Sequence, residues 1–198
     1  MIRLATEADV PEMLSIYAPY ILTTTYTFEY EVPTEDAFLA RFRSITAQFP
    51  WLVWEEEGQV LGYAYASAPY TRAAFSWCAE PSIYLLPEAK GRGIGRKLYA
   101  ALETILQEQG YQILYALITA ENEPSLAFHR KMGYEAKVEF PNCGYKFNRW
   151  LGLIWMEKRI KMVHSPKFFP TAWPCIVQDV KRISNILDNL SLFYLPEI

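Results

Sequence analysis

The chain is expected to fold as a mixed α/β domain, because short apolar runs alternate with segments whose apolar residues recur every three or four positions. Ile83-Tyr84-Leu85-Leu86 is such a run and reads as a strand. Leu98, Leu102 and Ile105 fall at i, i+4 and i+7 and read as one face of a helix. Between the two lies a turn with glycine at 91, 93 and 95, so the strongest signals form a strand, a turn and a helix in that order.

The remaining elements follow from the same rules. Residues 2–4 read as a first strand. Thr6-Glu7-Ala8-Asp9 has the S/T-x-x-[DE] pattern of a helix start, with Val10, Leu14 and Tyr17 on one face. Pro33-Thr34-Glu35-Asp36 opens a second helix carrying Phe38, Phe42 and Ile45. Residues 52–54 and 59–66 predict a strand pair turned at Glu57-Gly58. Residues 74–86 predict a long strand, interrupted at Pro81, where the missing N–H removes a ladder bond. A helix over 94–109 ends at Gly110, a strand covers 113–118, and a helix over 123–132 is stopped by Gly133. The aromatic stretch 145–160 reads as strand-like. Beyond residue 161 the character changes. Pro166, Pro170 and Pro174 alternate with Phe168, Phe169 and Trp173, and 177–192 then has an amphipathic helical pattern. The expected division is a domain over 1–160 and a C-terminal extension over 161–198 that packs on the domain or on a partner.

With 198 residues, 52% of them hydrophobic and 16% aromatic, the chain has material for a sizeable core and is not a disordered sequence. A net charge of −3 without a long basic stripe argues against a nucleic-acid surface. Cys78, Cys143 and Cys175 are widely spaced and lack histidines at metal-ligand spacing, so neither a disulfide framework nor a metal site is expected. No apolar h-region or membrane-length apolar run occurs, and the expected setting is the cytoplasm.

The segment Pro87-Glu88-Ala89-Lys90-Gly91-Arg92-Gly93-Ile94-Gly95-Arg96-Lys97 carries a local charge of +3. Glycines let a ligand approach the backbone, and the helix that follows points free N–H groups and partial positive charge at it. An anion site, most simply for phosphate, is the direct reading. The spacing is not the G-x-G-x-x-G of a dinucleotide fold, and the G-K-[ST] of a P-loop is missing.

Lys90-Gly91-Arg92-Gly93-Ile94-Gly95 resembles the [RQ]-x-x-G-x-[GA] loop of the GNAT superfamily of N-acetyltransferases, with Lys90 where Arg or Gln is usual. Asn122 to Tyr134 resembles the superfamily's second cofactor segment, N-x-x-[SA]-x-x-x-[YH]-x-x-x-G-[FY]. Gly62-Tyr63-Ala64-Tyr65-Ala66, Arg72 to Glu80 and Gly144 to Trp150 are similar to the phosphinothricin/methionine sulfone acetyltransferase group. The resemblance covers about residues 1–160. It implies a mostly antiparallel sheet of six or seven strands with helices on both faces and a cofactor cleft splayed between the strand ending at Leu86 and that near Ile118.

It also implies acetyl-CoA as cosubstrate, bound by Tyr84, Leu85, Leu86, Lys90, Gly91, Arg92, Gly93, Ile94, Gly95, Arg96, Lys97, Asn122, Ser125 and Phe128, with the pyrophosphate on N–H groups from Arg92 to Lys97. Glu80 falls at the family's general-base position. Burial amid Phe75, Trp77 and Ile83 would raise its pKa toward ~6–7, though a structural carboxylate paired with Arg72 or Lys146 is the competing reading. His129 stands seven residues after Asn122, where many members carry a tyrosine that protonates departing CoA thiolate; a packed helix histidine is the alternative. Of the aromatic residues, Phe28, Phe75, Trp77, Tyr145 and Trp150 are candidates to line a substrate pocket, with Tyr26 and Tyr30 beside them. Arg72 and Lys146 are candidates for a substrate carboxylate. The implied partner is a small amino-acid-like amine, and homodimers are common in the group. Protein N-terminal acetylation and a non-catalytic acetyl-CoA-binding regulator are the rival functions.

Overall fold

The structure, a computed structural model, describes residues 1–161 and 168–177. Its strands are β1 (Ile2–Leu4), β2 (Trp51–Glu56), β3 (Gln59–Ser67), β4 (Cys78–Leu85), β5 (Ile113–Thr119), β6 (Glu135–Lys146) and β7 (Arg149–Arg159). Its helices are α1 (Val10–Thr23), α2 (Glu35–Thr46), α3 (Ile94–Gln109), α4 (Glu123–Lys131) and the short α5 (Trp173–Val177). The strands form one seven-stranded sheet in the order β1-β2-β3-β4-β5-β7-β6. Only β4 and β5 run parallel among the described strands.

Strand alternation sorts the core into two layers. Trp51, Val53 and Tyr63 face α1 and α2, whose Met13, Ile16, Tyr17, Phe38 and Phe42 complete one cluster. Leu52, Ala64, Leu114 and Ala116 face the other way, onto Leu98, Leu102 and Ile105 of α3 and Leu126 of α4. The apolar stripe of α3 thus bridges both halves of the sheet. Its end at Gly110 (φ 101°) returns an N–H to the Leu106 and Gln107 carbonyls, as a left-handed glycine cap does.

Four expectations need correction. Thr6 and Asp9 do form a capping box, but it closes a single 3-10 turn over Glu7–Asp9, and the α-helix begins at Val10. The strand expected over 74–86 begins at Cys78, preceded by a 3-10 turn at Ala73–Phe75. Pro81 does not interrupt it. The Leu86 N–H donates to the Leu61 carbonyl (2.9 Å), so even-numbered residues of β4 turn their N–H groups toward β3 and Pro81 faces the opposite edge. The strand-like stretch 145–160 is broken near its start by the β6–β7 turn at Phe147 (φ 49°) and Asn148 (φ 59°), and β7 fills the rest. The helix expected over 177–192 lies outside the described residues. The described part of the extension packs back on the domain, with Trp173 buried in the α3-side core.

Candidate active site

Strands β4 and β5 pair at just two positions, Cys78 with Ile113 and Ala79 with Leu114. Beyond them β4 stays with β3 as far as Leu85 opposite Gly62, and β5 stays with β7 as far as Thr119 opposite Leu153. The sheet therefore opens as a V whose vertex is at Ala79. Proline at 81 fits this edge, having no N–H to leave unpaired. By the same parity the N–H groups of Ile83 and Leu85 point into the opening, whereas that of Tyr84 is turned to β3. From α1, the Tyr20 hydroxyl reaches across, donating to the Leu85 carbonyl at 2.6 Å and accepting a long hydrogen bond from the Leu85 N–H at 3.4 Å.

The glycine turn closes the wide end of one arm. Gly91 (φ 75°) and Gly93 (φ 76°) both need the left-handed conformation, and Gly93 is the N-cap of α3. Gly95 is needed for room instead. A Cβ there would come within 3.2 Å of Leu85 and 3.4 Å of Ile83 from β4, and within 3.8 Å of Phe128 from α4. The Lys97 N–H is already given to the Gly93 carbonyl (3.1 Å), which leaves the N–H groups of Ile94, Gly95 and Arg96 as the free donors of the first turn. The surrounding cations rest on neighbours. Arg92 pairs with Glu56 (2.7 Å), Lys90 lies over the Tyr20 ring and Lys97 over the Trp54 ring. On α4, Asn122 caps the helix by accepting from the Ser125 N–H (3.2 Å), so its amide NH2 is left for another partner.

Glu80 is the first residue past the vertex. Strand alternation puts its side chain on the α1 and α2 face with Cys78, Ser82 and Tyr84. It is half-buried and makes no hydrogen bond or ion pair among the described residues, and burial raises its carboxyl above the ordinary range. Neither of the cations named as structural partners reaches it. Lys146 is 2% exposed and donates to the Thr27 carbonyl (2.8 Å), and burial lowers its ammonium pKa. Arg72 stands exposed at the N-cap of the 3-10 turn before β4. Glu80 is thus an unspent carboxylate at the mouth of an opened sheet.

His129 is built differently. It is 4% exposed, and burial lowers its pKa to about 4. Nδ1 lies 2.8 Å from the Ser125 carbonyl, which can only accept, so that nitrogen carries the proton. Nε2 then holds the lone pair and accepts from the Tyr99 hydroxyl at 2.9 Å; the Pro81 carbonyl lies 3.2 Å from the same hydroxyl. A neutral imidazole with both nitrogens engaged is poorly placed to deliver a proton near neutral pH.

The residues proposed for the amine side fall into two groups. Phe28, Tyr145 and Lys146 come together where the loop after α1 meets the β6–β7 tip. The Phe28 ring lies flat against Gly144, Tyr30 donates to the Tyr145 carbonyl, and Tyr145 packs edge-on with Trp150 at 5.3 Å. Phe75 stacks on Tyr70 at 4.2 Å, and Tyr70 continues onto Trp155. Trp77 belongs to neither group. Its ring stacks on Phe169 (5.1 Å, 18°) and its indole N–H donates to the Phe168 carbonyl. A cavity of about 280 Å³ opens beside the first group, lined by Thr23 to Tyr26, Glu121, Phe147 and Arg149, but neither Glu80 nor the glycine turn contributes to it.

This geometry matches known proteins along most of its length. The profile of the Acetyltransferase (GNAT) domain covers residues 2–155. The chain belongs to the GNAT acetyltransferase family. A phosphinothricin N-acetyltransferase of Alcaligenes faecalis is 34% identical over 160 residues, 79% of this chain and 81% of that protein. The L-amino acid N-acyltransferase MnaT of Escherichia coli is 33% identical, over 80% of this chain and 93% of its own. Among solved structures, a phosphinothricin acetyltransferase from Sinorhizobium meliloti in complex with acetyl-CoA superposes with a TM-score of 0.80 at 34% identity, over 88% of this chain and 95% of its own. A ribosomal-protein-alanine N-acetyltransferase from Brucella melitensis gives 0.78 at 36% identity, over 80% and 99%.

As a GNAT domain, the chain has site-lining groups that the sequence reading passed over. Tyr20 is one, since nothing in the spacing of α1 marks a tyrosine that spans to β4. Tyr99 is another, hidden within the apolar stripe of α3. Tyr65 is a third, buried beside Glu80 with its phenol pushed up to about 12. No cluster of three or more His, Cys, Asp or Glu side chains suited to a metal occurs among the described residues. No described helix is long and apolar enough to cross a membrane.

Proposed function

We propose that this chain is an acetyl-CoA-dependent N-acetyltransferase that acts on a small amino-acid-like amine by direct attack. The observation that carries the reading is Glu80, unpaired and raised by burial, set one residue beyond the vertex of the opened sheet. The free N–H groups of Ile94, Gly95 and Arg96 suit a pyrophosphate, and Lys90, Arg92 and Arg96 supply charge around it. Gly91 and Gly93 bring the backbone close enough, and the space kept by Gly95 between Ile83, Leu85 and Phe128 suits a slender chain laid along β4. Acetyl-CoA, when bound there, supplies the thioester.

Glu80 takes the proton of the substrate ammonium, directly or through water, and frees the nitrogen lone pair. The new C–N bond forms as the C–S bond breaks. Leu85, whose N–H faces the opening and gives Tyr20 only a long hydrogen bond, meets the charge that develops on the carbonyl oxygen, worth ~3–4 kcal/mol for a well-placed donor. The departing thiol has a pKa of about 8.5 and can leave as thiolate, which takes a proton from solvent while the acylated nitrogen releases its second proton there to give the neutral amide. His129 and Tyr99 hold α4 against Pro81 in this scheme and do not act as the acid.

Arg72, exposed and without a partner among the described residues, is the cation best suited to a substrate carboxylate. Phe28 and Tyr145 form the facing wall. The relatives named for phosphinothricin and L-amino acids support this substrate class. The Brucella neighbour supports protein N-terminal acetylation as the second reading. Free Cys78, Cys143 and Cys175 fit a reducing cytoplasm. The half-exposed aromatic face of Tyr70, Phe75, Phe140 and Trp155 suits a homodimer contact.

Thiol release from acetyl-CoA is the test, with phosphinothricin, methionine sulfone, methionine sulfoximine, the common amino acids and an Ala-initiated peptide as acceptors. A small amine is expected to lead, and a preference for the peptide overturns the substrate class. Glu80→Gln should keep acetyl-CoA binding and lose about 10²–10⁴-fold in turnover. Near-normal turnover in that variant removes Glu80 as the base.

A further inference from the structure

We propose that residues 168–173 form a clamp across the vertex of the cleft and that, acting through Trp77, this clamp positions Glu80. The proposal rests on the reading of Glu80 as the base. The seam between the two arms of the sheet is thin, with two residue pairs extended by the Trp77 carbonyl, which accepts from Gln112 (3.0 Å) and Ile113 (3.3 Å). Trp77 is therefore the first tie between the arms, at the closed end of the seam, with only the Cys78 and Ala79 pairs between it and Glu80, three residues on. Its side chain is held by the extension: the indole N–H donates to the Phe168 carbonyl (3.1 Å) and the ring stacks on Phe169.

The clamp is anchored on the far side of the seam. Thr171 donates its N–H to the Gln109 carbonyl (2.8 Å), and the Gln109 side chain returns a hydrogen bond to the Thr171 carbonyl (3.0 Å). The same Gln109 amide donates to the Gln48 carbonyl (2.9 Å), which also accepts from the Trp173 N–H (2.9 Å). Pro170 lies against Gly110, and Trp173, 6% exposed, enters the core beneath α3. Residues 168–173 thus link the end of α2, the end of α3 and the approach to β4. The family profile stops at residue 155, short of this clamp.

Strand β4 is stiff and its outer arm lacks a neighbour on the β5 side, so a small rotation at Trp77 is carried to Glu80. Catalysis is sensitive to such shifts, and a misplacement of about 1 Å can cost on the order of 10²-fold. Trp77 is a positioning residue in this view and not part of the amine pocket.

The test uses the full chain carrying Phe169→Ala together with Thr171→Pro, changes confined to exposed side chains and one N–H of the clamp. Phe169→Ala alone is the second variant if the double one fails to fold. Three quantities are measured: amide exchange at Ala79, Gln112 and Ile113, whose N–H groups face the seam, acetyl-CoA affinity by calorimetry, and kcat per acetyl-CoA-binding site with the best amine of the panel. Expected are exchange at the vertex at least tenfold faster, kcat down about tenfold, an acetyl-CoA Kd within twofold of the parent, and normal values in Phe169→Tyr. A merely structural role lowers the fraction of binding-competent protein and leaves kcat per site alone, and that result overturns the proposal. Unchanged exchange at the vertex overturns it as well. Retained turnover in Glu80→Gln is a separate failure. It removes the catalytic half of the proposal, while the exchange rates still decide whether the clamp holds the seam.

Discussion

Two titratable side chains near the vertex were pushed by burial in opposite functional directions. Glu80 is raised, so its affinity for a proton moves toward neutrality, where a base must work. His129 is lowered to about 4, so it stays neutral through the working range. The second shift has a consequence for stability. The unfolded chain takes a proton on this histidine near pH 6.5 and the folded protein only near 4, so the stabilisation is fully present above 6.5 and is lost as the pH falls toward 4. The full loss is ~3 kcal/mol. Urea unfolding of the parent and of His129→Gln at pH 7 and pH 4.5 should show a steeper acid decline in the parent; equal declines would mean that another group titrates. The same variant should keep the alkaline limb of kcat/KM, which a general acid at this position would set. The chain marks Glu80 only as an acidic residue amid Phe75, Trp77 and Ile83, and it is the resemblance to the family that singles it out as a base. The partner of His129 is not marked at all. Tyr99 occupies a position in the α3 pattern that an ordinary core residue fills equally well.

Among elements, the strand-turn-helix unit was legible because each part imposes a local rule. Gly93 needs φ near 76°, and a side chain there is strained in open space, with nothing within 4 Å of an added Cβ. Gly93→Ala should therefore cost about 1 kcal/mol in backbone strain and shift the N–H groups that follow. A five- to tenfold weaker acetyl-CoA Kd, with kcat at saturation nearly unchanged, is the expected calorimetric and kinetic outcome. A large fall in kcat with intact affinity would place Gly93 in the chemistry and not in cofactor binding. Strand β6 was illegible for the converse reason. As the edge strand it is exposed on both faces over most of its length, so no alternation marks it. Its turn at Phe147-Asn148 takes left-handed backbone without a glycine, which removes the usual hairpin signal. The irregular pairing between Phe140 and Gly144 further blurs the pattern.

For the whole molecule, the order of strands and the two helical layers follow from the alternation of apolar residues, and the sevenfold sheet agrees with the fold the motifs implied. The opening between β4 and β5 is a property of no single residue. It appears once one parallel pair is inserted into an otherwise antiparallel sheet, with α3 packed beneath both arms. Because the arms share so short a seam, a ligand lodged between them should stiffen the entire fold. Acetyl-CoA at 100 times its Kd is expected to add ~2.7 kcal/mol, seen as a clear rise in Tm. Binding measured by calorimetry without such a rise would mean that the unfolded chain binds as well, or that the ligand sits elsewhere. The described part of the extension was the hardest region to foresee. Its prolines and aromatic residues have no periodicity, and its contacts depend on carbonyls at the ends of α2 and α3 that no sequence pattern advertises.

The contacts of residues 168–173 also impose an order in time. Synthesis runs from the N-terminus, so every described strand, the glycine turn and Glu80 emerge before the segment that covers Trp77. Until then the nascent domain presents a bare indole, a Gln109 amide with only the Gln48 carbonyl for a partner and an empty slot for Trp173, all at one end of the sheet. A chain cut before Phe168 would possess every residue of the cleft and still expose that sticky end. Aggregation of such fragments, and their capture by chaperones during translation, would be the cellular trace of a seam sealed last.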